Sequence, residues 1–93
     1  MSNSNKTKVS PVACATRLGS SVAFRRGYED YMKDKPFNYD LTSKRDSIDY
    51  TRGRAFAVWC KLNKSPRAVW RDGVAANTVV SRIVLAIRGE FVI

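Results

Sequence analysis

The chain has no histidine among its 93 residues. That absence removes the commonest general base at neutral pH, the Ser-His and Cys-His nucleophile pairs and the commonest zinc ligand. Cysteine is scarce as well: Cys14 and Cys60 are far apart and neither belongs to a C-x-x-C pair, so they read as inert packing thiols. Long apolar runs are also missing. The apolar runs Val79-Val80 and Ile83 to Ile87 are bounded by Ser81, Arg82 and Arg88, and even the longest run, Ala55 to Cys60, falls well short of the roughly 20 residues of a membrane span. The polar start, Met1 to Val9, lacks the apolar core of a signal peptide. These absences predict a cytoplasmic protein with reduced thiols and no membrane association, and they leave no catalytic residue, metal site or cofactor to expect. The nearest approach to site chemistry is the acidic group Glu29, Asp30 and Asp34. Asp30 and Asp34 are spaced to share a helix face and to hold Mg²⁺ or an acid–base pair, but with Lys33 and Lys35 beside them a solvated helix face is the plainer account.

What the chain does have is positive charge: 17 Lys and Arg against 8 Asp and Glu, a formal charge of +9 with no histidine to add to it. The charge is uneven. Residues 1–28 carry five cations and no acid, residues 29–50 have a balance of −2, and residues 51–93 one of +6. Such an excess on one small domain points to an anionic partner, nucleic acid first. At 44% hydrophobic residues the composition is that of an ordinary globular chain, with enough apolar material for one thin core.

Read along its length, the sequence predicts a mainly α fold: a small single domain of three to four helices over residues 19–93, preceded by a flexible basic arm over residues 1–18. The arm is assigned on its small polar residues and Pro11. A first helix starts at Ser20 or Ser21 as N-cap, carries Phe24, Tyr28, Tyr31 and Met32 on one stripe, and ends before Pro36. A connector over residues 35–42 holds two aromatic anchors, Phe37 and Tyr39. A second helix starts near Ser43, with Asp46 at N3, and its apolar stripe is Ile48, Ala55, Trp59 and Leu62. Ser65-Pro66 reads as the start of a short third helix ending at Gly73 and anchored by Trp70. From Asn77 onward, Val79, Val80, Ile83, Val84, Ile87 and Phe91 keep helical periodicity despite their β-branched content, and Gly89 is the stop. Phe24, Trp59, Val79, Ile83 and Ile87 are assigned to the core, while Tyr28, Tyr39 and Tyr50 are candidates for the surface.

The most informative motif is an echo. Phe24-Arg25-Arg26-Gly27 and Tyr50-Thr51-Arg52-Gly53 each place an aromatic residue three positions before the glycine of an Arg-Gly pair. Glycine lets one backbone approach another, and the neighbouring guanidinium can reach a phosphate bidentately. The glycines are expected where the two helices cross. Arg26-Gly27-Tyr28, Pro36-Phe37 and the stretch Tyr50 to Trp59 around Gly53 give residues 22–60 a resemblance to the ribosome modulation factor group of small basic bacterial and phage proteins. In this chain the first loop is shorter and the second stretch longer, and the C-terminal region has no counterpart. The resemblance implies an α-helical protein that binds ribosomal RNA and lowers translation, with Arg26 and Tyr28 on the RNA-facing surface.

Independently of that resemblance, cations interleaved with aromatics suit single-stranded nucleic acid. The expected interface comprises Arg25, Arg26, Tyr28, Arg52, Arg54, Lys61, Lys64, Arg67 and Arg71, forming one positive face from the two Arg-Gly steps and the Lys61 to Arg71 segment. The first expectation is therefore a non-enzymatic protein that contacts RNA, or another nucleic acid, through an Arg-rich helical face. The alternative is a phage- or mobile-element-type inhibitor or adaptor that offers the same face to an acidic surface of a host nucleic-acid-processing complex. Its support is the C-terminal apolar stripe, which looks larger than so short a chain can bury alone and which is also compatible with a homodimer.

Overall fold

Serine hydroxyls open three of the four helices found among the described residues. The computed structural model describes residues 10–41 and 43–89. Helices α1 (Pro11–Gly19), α2 (Val22–Met32) and α3 (Lys44–Leu62) are followed by a two-stranded hairpin, β1 (Trp70–Arg71) and β2 (Val74–Ala75), and by α4 (Asn77–Arg88). Ser10, Ser21 and Ser43 each accept a hydrogen bond from the N–H three residues on, at 3.1, 3.1 and 3.0 Å, which satisfies one of the free donors of the first turn. The expected starts at Ser21 and Ser43 and the helical form of the C-terminal stripe all hold, and the fold is mainly α as expected.

Helices α2 and α3 form the principal packing pair, and glycine sets their contact. A Cβ built on Gly27 would lie 2.1 Å from the carbonyl oxygen of Tyr50, and one on Gly53 would lie 2.0 Å from that of Phe24. The echo in the sequence is thus reciprocal in space: each glycine faces the carbonyl of the aromatic residue that precedes the other glycine by three. The hydrogen on each Cα points at that oxygen, the arrangement of a weak Cα–H···O contact. Around the crossing lie Phe24, Tyr28 and Phe56, with Phe24–Phe56 and Tyr28–Phe56 ring centroids 5.6 and 5.8 Å apart.

The crossing also fixes which side of α3 is buried. Asp49, Tyr50, Gly53, Phe56, Ala57 and Cys60 face inward, a helical stripe one residue out of phase with the expected one. Ile48 is 38% and Leu62 78% exposed. Hydropathy misjudged the phase because two polar residues, Asp49 and Tyr50, lie on the inner face with their polar atoms satisfied. Tyr50 and Tyr28 are therefore core residues, not surface ones.

Helices α2 and α3 end by the same device. Asp34 and Lys64 adopt left-handed backbone, with φ of 59° and 54°. The next N–H closes back on the helix, Lys35 to Asp30 O at 2.8 Å and Ser65 to Cys60 O at 2.9 Å, which is the Schellman closure. A proline follows each closure, Pro36 and Pro66. Ser65-Pro66 is thus the end of α3 and not the start of a helix. The segment beyond it is extended, and Asp72 and Gly73, with φ of 52° and 79°, make the two-residue turn that pairs Trp70 with Ala75 and Arg71 with Val74. An Asp-Gly pair with positive φ at both positions is a favoured hairpin turn. Because α2 stops at Met32, Asp30 and Asp34 do not share a helix face.

Of the expected N-terminal arm, residues 1–9 lie outside the described residues, and Pro11–Gly19 is helix instead. Ser10 caps it, Pro11 occupies the first helical position, and Ala15 and Leu18 are fully buried. This helix lies along α4, whose Val79, Ile83 and Ala86 are buried, while Val80, Val84 and Ile87 pack against the same core. Phe91 lies outside the described residues. The described part of the trailing stripe, Val79 to Ile87, is thus packed within the chain, against a helix that the sequence reading did not anticipate. Trp70 Nε1 donates to Gly19 O at 3.1 Å and the Ala68 N–H donates to Tyr28 Oη at 2.9 Å, tying the hairpin to both halves. Cys14 and Cys60 are free thiols. Burial pushes the Cys60 thiol up to about 11, which keeps it protonated at neutral pH.

Alanine at Gly27 or Gly53 would drive a methyl group into a backbone carbonyl that neither helix can move without breaking its own ladder. Each change is expected to cost about 3 kcal/mol or more, read as a collapse of the thermal midpoint by circular dichroism. Gly73→Ala meets nothing within 4 Å and should cost only about 1 kcal/mol for its positive φ. Equal losses at all three positions would contradict the crossing. Lys64→Gly, which removes the left-handed strain at the end of α3, should stabilise the chain by up to about 1 kcal/mol in the same assay.

Candidate nucleic-acid interface

Asp49 lies at the centre of the polar side of the molecule. It is 3% exposed and ties three elements together. Arg17, in the last turn of α1, donates from both terminal nitrogens to its two carboxylate oxygens at 3.0 and 2.9 Å. The Ser21 hydroxyl, while capping α2, donates to Oδ2 at 2.9 Å. Burial alone would raise the Asp49 pKa, but the hydrogen bonds from Arg17 and Ser21 and the charges of Arg17 and Arg52 hold it below the usual carboxylate range. The same pairing raises Arg17.

Two open clefts adjoin this pair. One, of about 480 Å³, lies between the end of α1, the start of α2 and the first turns of α3, and is lined by Arg17, Ser21, Arg26, Arg45, Asp46 and Asp49 among others. The second, of about 460 Å³, shares Arg17, Arg45 and Asp49 and adds Lys44 and Arg52. Together they gather five cations and two carboxylates; Arg17 and Asp49 neutralise each other, which leaves four cations, Arg26, Lys44, Arg45 and Arg52, against Asp46. The positive end of α2 adds to the field, since its first free N–H groups lie at Val22 and Ala23 on the first cleft.

No matching family model, curated protein or solved structure is found for this chain. The geometry alone therefore has to say which of the expected residues form a surface.

It divides them. Arg26 and Arg52 lie on the joined clefts. Tyr28 does not face a ligand: it is buried in the core, with its hydroxyl accepting from Ala68. Arg54 is committed internally. Its Nη1 donates to Lys35 O at 3.0 Å, and its guanidinium lies 5.6–5.9 Å from the Tyr31, Phe37 and Tyr50 rings. Lys61 is exposed beside the Tyr31 ring, 5.2 Å from its centroid, and Lys64 is the left-handed residue that closes α3. Arg67 is paired with Glu29, and Arg25 lies over the Trp70 ring at 5.6 Å. Arg71 is exposed on the hairpin. Of the nine residues only Arg26 and Arg52 line these two clefts, and none of the Lys61 to Arg71 segment does.

Arg17, Lys44 and Arg45 were missed by the sequence reading. Arg17 lay in the stretch assigned to the arm, and the two others lay in the stretch of net −2. The available signal was the Ser10-Pro11 start, which by the same rule that was applied to Ser65-Pro66 places Arg17 in the last turn of a helix.

Because the Asp49 carboxyl is held low in the folded state, its contribution to stability is fully present above the unfolded value of about pH 4. That contribution drains away as the pH falls through the lower, folded value. Asp49→Asn should flatten this acid limb and cost about 2 kcal/mol at neutral pH, with Arg17 half-exposed and discounted accordingly. Urea midpoints measured from pH 7 to pH 2 check both statements.

Proposed function

We propose that the protein is a non-enzymatic RNA-binding protein that holds the phosphate backbone in the joined clefts around Arg17, Arg26, Lys44, Arg45 and Arg52. The observation that carries this reading is the gathering of four cations from α2 and α3, Arg26, Lys44, Arg45 and Arg52, around the mutually neutralised Arg17–Asp49 pair. Guanidinium groups suit phosphate because their planar donors match its oxygens in pairs, and three of these four cations are arginines. The resemblance of residues 22–60 to the ribosome modulation factor group makes ribosomal RNA the first RNA to try. The alternative occupant is an acidic surface of a host protein complex. Its main support has weakened, because α1 covers the C-terminal stripe that argued for a protein partner or a second copy.

Affinity for RNA should fall steeply with salt, since phosphate neutralisation releases counterions at roughly 0.7 per contact on a single strand. The double variant Arg26→Ala, Arg45→Ala should lose at least about ten-fold in affinity at low salt and lower the salt slope by about 1.4, with its thermal midpoint retained. Arg54→Ala should instead lower the midpoint, because that arginine works inside the fold. Fluorescence anisotropy from 50 to 200 mM salt makes the comparison. An affinity independent of salt would rule out phosphate recognition, and a partner kept after nuclease treatment in a pull-down would favour the acidic protein.

A further inference from the structure

The connector between α2 and α3 has no regular secondary structure over residues 35–41, yet side chains pin it at several points. Arg54 donates to Lys35 O at 3.0 Å, the Asn38 N–H donates to Tyr50 Oη at 3.1 Å, and the Asp40 N–H donates to Asn38 Oδ1 at 2.9 Å. Tyr50 Oη in turn donates to Asp30 Oδ2 at 2.7 Å. Phe37 lies edge-on to Tyr50 at 5.0 Å between centroids and backs Tyr39 at 4.8 Å. All this holding presents one aromatic ring outward: Tyr39 is 85% exposed. A ring that exposed adds little to the core, so folding does not explain a braced platform beneath it.

Its surroundings say what would sit there. Tyr39 lines a third cleft, of about 540 Å³, with Arg26 and Lys35 opposed by Asp30 and Asp40. Two cations against two carboxylates leave this cleft without net pull on a phosphate. An uncharged, flat, hydrogen-bonding group suits it better, and a nucleobase is such a group. Arg26 lines both this cleft and the basic one beside it, so one nucleotide can place its base on the tyrosine and its phosphate toward the arginines.

We infer that Tyr39 is a stacking platform for an unpaired base, which makes the protein selective for single-stranded RNA over duplex. The inference rests on RNA binding by the basic clefts and adds the strandedness of the partner. Duplex RNA hides its base faces, so it can use the cations and not the ring.

The test is anisotropy of a fluorescein-labelled single-stranded RNA 12-mer of mixed sequence and of its duplex with the complement, using the full chain. The single strand should bind more tightly. Tyr39→Ala should weaken it roughly ten-fold and leave the duplex unchanged, Tyr39→Phe should retain the wild-type affinity, and the Tyr39 ring protons should move upfield on binding. Equal affinity for strand and duplex, unaffected by Tyr39→Ala, would sink the platform while leaving the basic clefts standing. Absence of salt-dependent binding to either RNA would overturn both readings. A polyglutamate that binds as tightly as the 12-mer and shows the same loss in Tyr39→Ala would mean that the surface reads acidic protein, which also overturns the inference.

Discussion

The close crossing of α2 and α3 at Gly27 and Gly53 is the contact on which the rest of the molecule depends. Two helix backbones that nearly touch leave each helix only one rotation about its axis. For α3 that rotation turns Asp49 and Tyr50 inward with Phe56 and Cys60. A carboxylate placed there by backbone geometry is costly unless it is paired and hydrogen-bonded. Arg17 and Ser21 meet that need, which fixes where α1 docks and how α2 begins. With α1 in place the apolar stripe of α4 is covered. The polar pair and the closing of the core are consequences of the same close approach.

The crossing also accounts for where the arginines lie. In a helix the residue before a buried glycine is turned by about 100° from it, so Arg26 and Arg52 emerge at the rim of the contact, not within it. On the rim they join Arg17 from α1 and Lys44 and Arg45 from the first turn of α3. Arg54, on the far side of Gly53, emerges toward Tyr31, Phe37 and Tyr50 and is used up there. The Arg-Gly step is therefore a positional device: it delivers one guanidinium to the edge of a helix crossing, and the identity of the neighbours decides whether that guanidinium stays free.

The parts of this that could be read from sequence are those with local causes. Ser21 and Ser43 as caps, the helical period from Asn77 and the pairing of Gly27 with Gly53 depend on residues a few positions apart or on glycine's lack of a side chain. The failures share a different cause. Ser65-Pro66 carries the same dipeptide as Ser10-Pro11, yet one closes a helix and the other opens one. What separates them is context: Lys64 takes up left-handed backbone before Ser65, and the Asp72-Gly73 turn draws the following residues into a hairpin. The buried face of α3 was assigned by hydropathy, which has no means of placing an aspartate inside before its arginine is known to arrive from α1.

Charge read along the chain misled for the same reason. The stretch 29–50 has a balance of −2, but two of its acids are neutralised by cations from other stretches: Glu29 by Arg67 and Asp49 by Arg17. Its Lys44 and Arg45 sit on the clefts that collect Arg26 from the stretch before it and Arg52 from the one after. Meanwhile Arg54 and Arg67, from the most basic stretch, are spent on a connector carbonyl and a carboxylate. The field that a ligand meets is set by which charges the fold leaves unpaired, and here those come from all three stretches. The formal charge of +9 therefore says nothing of where the positive field lies; the burial of Asp49 against Arg17 and Ser21 sets that.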